Sequence, residues 1–321
     1  MTRRTLADLP GIPALAVLAF LTTVARAGPA DSTLQVVSGT TDAGDATDQW
    51  LAMLRKRLSP AEYDSVARLR KLRTVGEQAW AALIQSRIAS WEREIPALAA
   101  PFHPVSPPGR VLIVLGNRDG GDAFTHDPTT IGFDLAELAA NYGVADQPQN
   151  PALIDRLFRH EFTHLLQKAW LPTHPWLADS PLRAALLDIW LEGLGNYYSL
   201  SERWRGEDGR RPEAAQRALA SLEPRFVTRL AALACADPDK AGALLAGSSS
   251  GPLDRKWGAM PAALWLEEDQ EASPMALRNF IVAGPAGVWA LADRHLPEPL
   301  RLVLKEAQVA DSLCTSRHRS P

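Results

Sequence analysis

Residues 150–170 of this 321-residue chain read NPALIDRLFRHEFTHLLQKAW, and they predict a helix that carries chemistry. Asn150 and Pro151 indicate its start, because Asn caps helix N-termini and Pro suits the first helical position. We therefore expect a helix over about 152–170. Apolar side chains flank a short string on both sides, His160-Glu161-Phe162-Thr163-His164. This pattern is typical of a helix that is mostly buried.

The two histidines of this string predict a metal site. They are four positions apart, so both imidazoles lie on one face of the helix and can bind one Zn²⁺ at about 2.0–2.1 Å. Glu161 projects beside the metal without binding it, where it can take a proton from the metal-bound water. Two histidines without partners would be costly in a buried helix. The string thus predicts one catalytic zinc ion held by His160 and His164.

A catalytic zinc needs a third protein ligand, and the next predicted helix, residues 182–200, offers one. This helix is apolar almost all round, apart from three polar residues that are each four positions apart: Asp188, Glu192 and Asn196. A buried acidic line needs a cation or hydrogen-bond donors. We therefore expect Glu192 to bind the zinc, with Asp188 or Asn196 orienting a zinc-bound imidazole. The alternative is a solvated stripe on a half-exposed helix.

The residues before the motif predict a small sheet. Residues 111–115 form a short apolar, β-branched run between two glycines and indicate a buried strand. Residues 129–135 indicate a second strand, and 117–127, with two glycines and several acids, indicate a surface turn. Capping signals and apolar stripes predict helices through most of the remaining chain. The expected fold class is α+β, mostly helical, with a small sheet beside the motif helix.

The N-terminus predicts export. Arg3 and Arg4 precede an apolar run over 12–24, and Ala25-Arg26-Ala27 fits a cleavage site, so residues 1–27 indicate a signal peptide. The run is too short for a bilayer, which needs about 20 residues. Polar residues 28–48 suggest a flexible lead-in. Residues 49–321 would form one domain, with an N-terminal part to about 170 and a helical C-terminal part over 180–321.

Composition narrows the classes of function. The 34 Lys and Arg against 37 Asp and Glu give a net charge of -3 without a basic block, so nucleic acid is not an expected partner. We expect a periplasmic or extracellular protein with no stable membrane insertion after cleavage. In an oxidising compartment Cys235 and Cys314 could pair, or they could remain two free thiols. Two cysteines are too few for a thiolate zinc module.

His160–His164, followed by WLEGLGNYY at 190–198, resembles the gluzincin clan of zinc metallopeptidases, in which the second helix often carries E-G-x-x-x-Y. The resemblance implies metal ligation by His160, His164 and Glu192 and a general-base role for Glu161. It implies a zincin-like metallopeptidase domain over 49–321. It also implies that the strand at 129–135 hydrogen-bonds an extended peptide along its edge.

Gluzincins supply a His or Tyr that donates to the developing oxyanion. By this resemblance the donor could be Tyr197, Tyr198 or His295, although His295 also fits an exposed residue at a helix end. The expected function is an exported zinc peptidase, a hydrolase acting on a peptide or protein substrate. One alternative is a non-catalytic metal-binding or cell-envelope interaction protein on this scaffold, and another is a zinc amidohydrolase acting on a non-peptide amide. Glu161 favours an enzyme, because a structural zinc needs no base.

Overall fold

The computed structural model describes residues 33–38, 44–67, 74–117, 121–206 and 210–318, and the predicted signal peptide lies outside these ranges. The described residues divide into two compact units, which we call the N-terminal unit, up to Ala169, and the C-terminal unit, from Trp170 onward. They are mostly helical and include a four-stranded mixed sheet, as expected for an α+β fold. None of the helices described is long and apolar enough to cross a membrane.

The N-terminal unit contains the sheet and the helices that pack on it. In chain order its elements are β1 (Thr33–Ser38), α1 (Gly44–Arg57), α2 (Pro60–Ala67), α3 (Val75–Ala99), β2 (Arg110–Gly116), β3 (Ala123–Asp127), β4 (Thr130–Asp134), α4 (Leu135–Tyr142) and α5 (Asn150–Trp170). A capping box formed by Thr74 and Glu77 starts α3. The predicted strand at 111–115 is confirmed as β2.

The sheet has the strand order β1-β2-β4-β3, and only β3 is antiparallel to its neighbour. Three expectations differ from this result. Residues 33–38, expected in a flexible lead-in, form β1, because Leu34 and Val36 continue the parallel ladder beside β2. Residues 123–127, expected in a surface turn, form β3. The predicted strand at 129–135 is β4, which is paired on both sides, so the expectation that its edge is free for a peptide is wrong.

Aromatic side chains cover both faces of the sheet. On one face Trp50 of α1 contacts Phe124 of β3, with ring centres 5.4 Å apart, inside a buried cluster. On the opposite face Trp91 of α3 stacks on Phe158 of α5 at 4.3 Å and lies 6.0 Å from Phe133 of β4. Aromatic pairs at these distances contribute beyond the area they bury. They place α5 on the sheet with its apolar side inward.

Polar contacts fix α5 against α3 just before the histidine motif. Asp155 accepts a hydrogen bond from the Trp91 indole at 2.8 Å and two from Arg87 at 2.9 and 2.7 Å. One turn later Arg159 donates to Glu94 at 2.8 Å. Bidentate arginine–carboxylate pairs restrict both distance and orientation. These contacts therefore fix the rotation of α5 about its own axis just before the histidine motif.

The C-terminal unit is helical in its described part. Its elements are α6 (Pro181–Ser199), α7 (Glu213–Leu233), α8 (Pro238–Leu245), α9 (Ala259–Ala272), α10 (Ala276–Ala283), α11 (Gly287–His295) and α12 (Glu298–His318). Ser180 caps α6 by accepting from the Arg183 N–H, as its Ser-Pro start predicts. A Cβ at Gly193 of α6 would lie 2.9 Å from the Cβ of Ala262, so glycine permits the close approach of α9. The predicted burial of α6 is confirmed.

A disulfide joins Cys235, just after α7, to Cys314 of α12. The two residues are 79 positions apart in the chain and their Cα atoms are 5.6 Å apart. The sequence was compatible with either a disulfide or two free thiols, and the structure shows the disulfide.

Replacing both cysteines by serine should lower the free energy of unfolding by about 4 kcal/mol, because the unfolded chain regains the entropy of an open 79-residue loop. Urea unfolding of the double variant measures this change. Ser312→Ala, an exposed position on the same helix, should differ from wild type by less than about 0.5 kcal/mol. An unchanged unfolding free energy in the double variant would contradict the entropic role of the bond.

Candidate metal centre

The two histidines of α5 converge through their Nε2 atoms. These nitrogens lie 3.1 Å apart, and the two ring planes are nearly perpendicular at 85°. Two nitrogens bound to one tetrahedral zinc at about 2.0–2.1 Å would be about 3.3 Å apart. The helix therefore brings His160 and His164 close to the separation that a shared metal requires.

Gln167 orients the ring of His164. Its side-chain oxygen lies 2.8 Å from His164 Nδ1, and the glutamine is fully buried. An amide oxygen can only accept a hydrogen bond, so Nδ1 is the donor in this contact, and Nε2 is the nitrogen that faces His160. Neutral imidazole in this tautomer is the form that binds a metal ion through Nε2. The contact thus prepares His164 to act as a ligand.

Thr125 of β3 holds Glu161. Its hydroxyl lies 2.8 Å from Glu161 Oε2 and 3.0 Å from the main-chain oxygen of the same residue. Glu161 is only 7% exposed, so its carboxylate has little freedom to turn into solvent. A general base must be held within hydrogen-bond reach of its proton. The contact with Thr125 supplies this restraint from the neighbouring strand.

Two cations act on the carboxylate of Glu161 within the N-terminal unit. Burial lowers the pKa of Lys168, and the negative charge of Glu161 partly opposes that change. Loss of hydration likewise lowers the pKa of Arg57, with Glu161 again acting in the opposite direction. Both side chains therefore place positive charge near the carboxylate of Glu161.

Asp188 is the first of the three polar residues on α6, and it receives hydrogen bonds from two serines. Asp188 accepts from Ser248 at 2.6 Å and from Ser249 at 3.2 Å. Burial raises the pKa of Asp188 to about 6, although the two hydrogen bonds act to lower it. The negative charge of Glu192 also raises this pKa. A solvated carboxylate would keep its ordinary pKa near 4. Asp188 therefore has the hydrogen-bond donors that a largely desolvated carboxylate requires.

Asn196 is the third member of the line and is 1% exposed. Its side-chain oxygen accepts from Lys256 Nζ at 3.3 Å, while its buried Nδ2 has no partner among the described residues. Glu192 lies between the two, one helical turn from each. The partners of Asp188 and Asn196 within this unit are thus serines and a lysine from the segment before α9.

The expected oxyanion donors differ in their surroundings. The Tyr198 hydroxyl is buried without a hydrogen-bond partner in the described part of the chain, and burial raises its pKa, so it keeps its proton. His295 instead stacks on Trp265 with near-parallel rings. Its Nε2 lies 2.8 Å from Asp269 and its Nδ1 lies 3.5 Å from Glu268. Both ring nitrogens of His295 lie near acids, and these contacts disfavour donation to a substrate oxyanion. The Tyr198 hydroxyl has no such contact among the described residues and remains a candidate for that role.

Comparison with protein-family models, curated proteins and solved structures found no match. The interpretation of this centre therefore depends on its own residues and their geometry.

Several residues that support the centre were not predicted from the sequence. Gln167 is three positions after His164, a spacing that places both on one helix face, so helical periodicity could have indicated it. Thr125 carries no such signal, since its contact with Glu161 depends on how β3 packs beside α5. Ser248 and Ser249 lie in a serine-rich loop that resembled an ordinary connection.

Proposed function

We propose that this chain is an exported zinc peptidase of gluzincin type, hydrolysing peptide bonds with Glu161 as the general base. The observation that carries the proposal is the arrangement on α5. His160 and His164 converge through Nε2 with the tautomer of His164 set by Gln167, and the intervening Glu161 is buried and held by Thr125. A histidine pair with only a structural role would not need an oriented carboxylate beside it.

The donor set fits a catalytic zinc ion. His160, His164 and Glu192 form a group of side chains that could hold a metal ion together. Two histidines and one glutamate are a donor set used by hydrolytic zinc sites, which keep a further position open. A zinc ion held there would polarise the substrate carbonyl and make an attacking water more acidic.

The chain's own residues would then move protons and position the substrate. Glu161 accepts the proton of the attacking water and delivers it to the leaving nitrogen. The Tyr198 hydroxyl supplies a donor for the negative charge that develops on the carbonyl oxygen. β3 is an edge of the described sheet and its Thr125 contacts Glu161, so this strand, rather than β4, would pair with an extended peptide.

The disulfide between Cys235 and Cys314 supports the proposed export. Disulfides persist in the periplasm and outside the cell, whereas cytosolic reductants keep thiols reduced.

Metal analysis combined with a peptide library tests the proposal. Purified protein lacking residues 1–27 should carry about one zinc per chain, because a His/His/carboxylate set binds the ion tightly. The zinc-loaded protein should cleave peptides, and dialysis against a chelator should remove both zinc and activity. Metal content near zero after loading would refute the zinc site. Full zinc content without cleavage of any peptide would favour the metal-binding or interaction protein, and cleavage of small amides alone would favour the amidohydrolase.

A further inference from the structure

A cavity in the C-terminal unit has a volume of about 460 Å³. It lies between the segment that precedes α6, the first turns of α6, and helices α11 and α12. Its lining includes two tryptophans and four aliphatic side chains: Trp176, Leu182, Leu186, Trp289, Val309 and Leu313. Sites for small organic molecules typically have volumes of about 300–1,000 Å³ and mostly apolar walls. The cavity is therefore large enough for a ligand with an apolar body.

Asp311 of α12 brings a carboxylate to this cavity. Its side chain is only 8% exposed. Oδ1 is buried and accepts no hydrogen bond from the residues that the structure describes. Oδ2 lies 3.6 Å from Arg183 Nε, which is close enough for an ion pair but too long for a hydrogen bond. Removing a carboxylate from water without such bonds is costly, so Asp311 lacks hydrogen-bond donors that a ligand could supply.

The hydrogen bonds of Arg183 that the structure shows go to other groups. Its Nη1 donates to Asp179 at 3.1 Å, and its main-chain oxygen accepts from the Trp176 indole at 3.1 Å. The second contact also holds Trp176 in the wall of the cavity. Asp188 in the same unit shows the contrast, because two serine hydroxyls donate to its carboxylate. Within the described ranges of this unit, Oδ1 of Asp311 has no such donor.

An organic ammonium ion has the chemistry that this cavity calls for. A primary ammonium carries three N–H donors and a positive charge, and its hydrogen bonds to a carboxylate are among the stronger ones in proteins. The indole rings of Trp176 and Trp289 add surfaces that attract cations. The aliphatic walls favour an aromatic or alkyl body, which gains free energy by leaving water. A neutral ligand of the same shape would make the apolar contacts but offer Asp311 no charged donor.

We infer that this cavity is a binding site for a small organic amine in its ammonium form. Asp311 accepts hydrogen bonds from the ammonium group, and the two tryptophans contact the apolar part of the ligand. The site uses none of the residues proposed for zinc binding or hydrolysis. It therefore adds a binding activity to this chain that does not depend on the proposed peptidase function.

Three probes of similar size test the site by isothermal titration calorimetry on the purified chain: 2-phenylethylamine, 2-phenylethanol and 3-phenylpropanoate. The amine should bind at least about tenfold more tightly than the neutral alcohol, because only the amine gives Asp311 a charged donor. The carboxylate should bind more weakly than both. Asp311→Asn, which keeps the shape of the side chain, should bring the amine to within about twofold of the alcohol. Glu306→Gln, at an exposed acid on the same helix, should leave all three affinities unchanged.

Trp289→Ala provides a second readout, because it removes one wall of the cavity and leaves the carboxylate in place. It should weaken binding of the amine and of the alcohol by a similar factor, about tenfold, since both lose the same apolar contact. An unchanged amine affinity in this variant would place the binding elsewhere and overturn the inference.

The wild-type chain alone also decides the outcome, even if Asp311→Asn does not fold. Equal affinities for the amine and the alcohol overturn the inference. Tightest binding of the carboxylate would show that Arg183 rather than Asp311 selects the ligand, and it overturns the inference as well. No binding of any probe at about 10 mM would show that the cavity is not a site for such molecules. None of these results depends on zinc content or peptide cleavage, so this inference and the proposed peptidase fail separately.

Discussion

Glu161→Gln is expected to lower kcat for peptide hydrolysis by about 10²–10⁴-fold while the protein keeps its zinc. Glutamine has the same shape and can still contact Thr125, but its amide cannot accept the proton of an attacking water. The carboxylate lies between the two proposed histidine ligands and is not proposed as a ligand itself, so metal binding should survive. Zinc content by elemental analysis and steady-state rates on one cleaved peptide measure both effects.

Thr125→Val is the matched comparison, since it keeps the carboxylate and removes only the hydroxyl that holds it. We expect a smaller loss, about 10–100-fold, as is typical when a group that orients an active residue is removed. Equal activity of Glu161→Gln and wild type would refute the general-base role but not the metal site. A Thr125→Val protein as impaired as Glu161→Gln would show that orientation dominates.

Glu192→Ala is expected to weaken zinc binding by about 100-fold or more, because it would remove the third of the proposed protein ligands. Competition with a colour-forming chelator measures the affinity directly and needs no substrate. Activity should fall in parallel and recover only in part when zinc is added in excess.

Asp188 and Glu202 provide the controls for this experiment. Asp188→Ala removes a carboxylate one turn away on the same helix, and retention of zinc in that variant would distinguish the ligand from its neighbour. Glu202→Gln, at an exposed position after α6, should behave as wild type. If Asp188→Ala loses the metal and Glu192→Ala keeps it, our assignment of the third ligand is wrong.

Local signals in the sequence were sufficient to place the helices that carry the centre. Asn150-Pro151 and Ser180-Pro181 are start signals that depend on a few neighbouring residues, and α5 and α6 begin there. The histidine pair likewise follows from helical spacing alone. These features needed no knowledge of which elements meet in space.

The sheet and the contacts made through it could not be derived in the same way. β1 is a strand because it pairs with β2, which lies far along the chain. The residues around β1 in the sequence are polar, so the local sequence does not indicate a strand there. β3 contains few of the residues typical of strands, and its pairing with β4 gives it an ordered position. Because β3 was not predicted, the contact of Thr125 with Glu161 was not predicted either, and β4 was taken for the free edge of the sheet. Register between distant segments depends on tertiary packing.

The disulfide has a consequence for limited proteolysis of this chain. The segment from Cys235 to Cys314 is a covalent ring, and it includes Ser248 and Ser249, which bind Asp188. The exposed turn at Gly251 and Pro252 lies within the same ring. A protease that nicks this turn produces two pieces that the sulfur–sulfur bond still joins. The nicked chain would migrate as one molecule until a reductant releases the fragments.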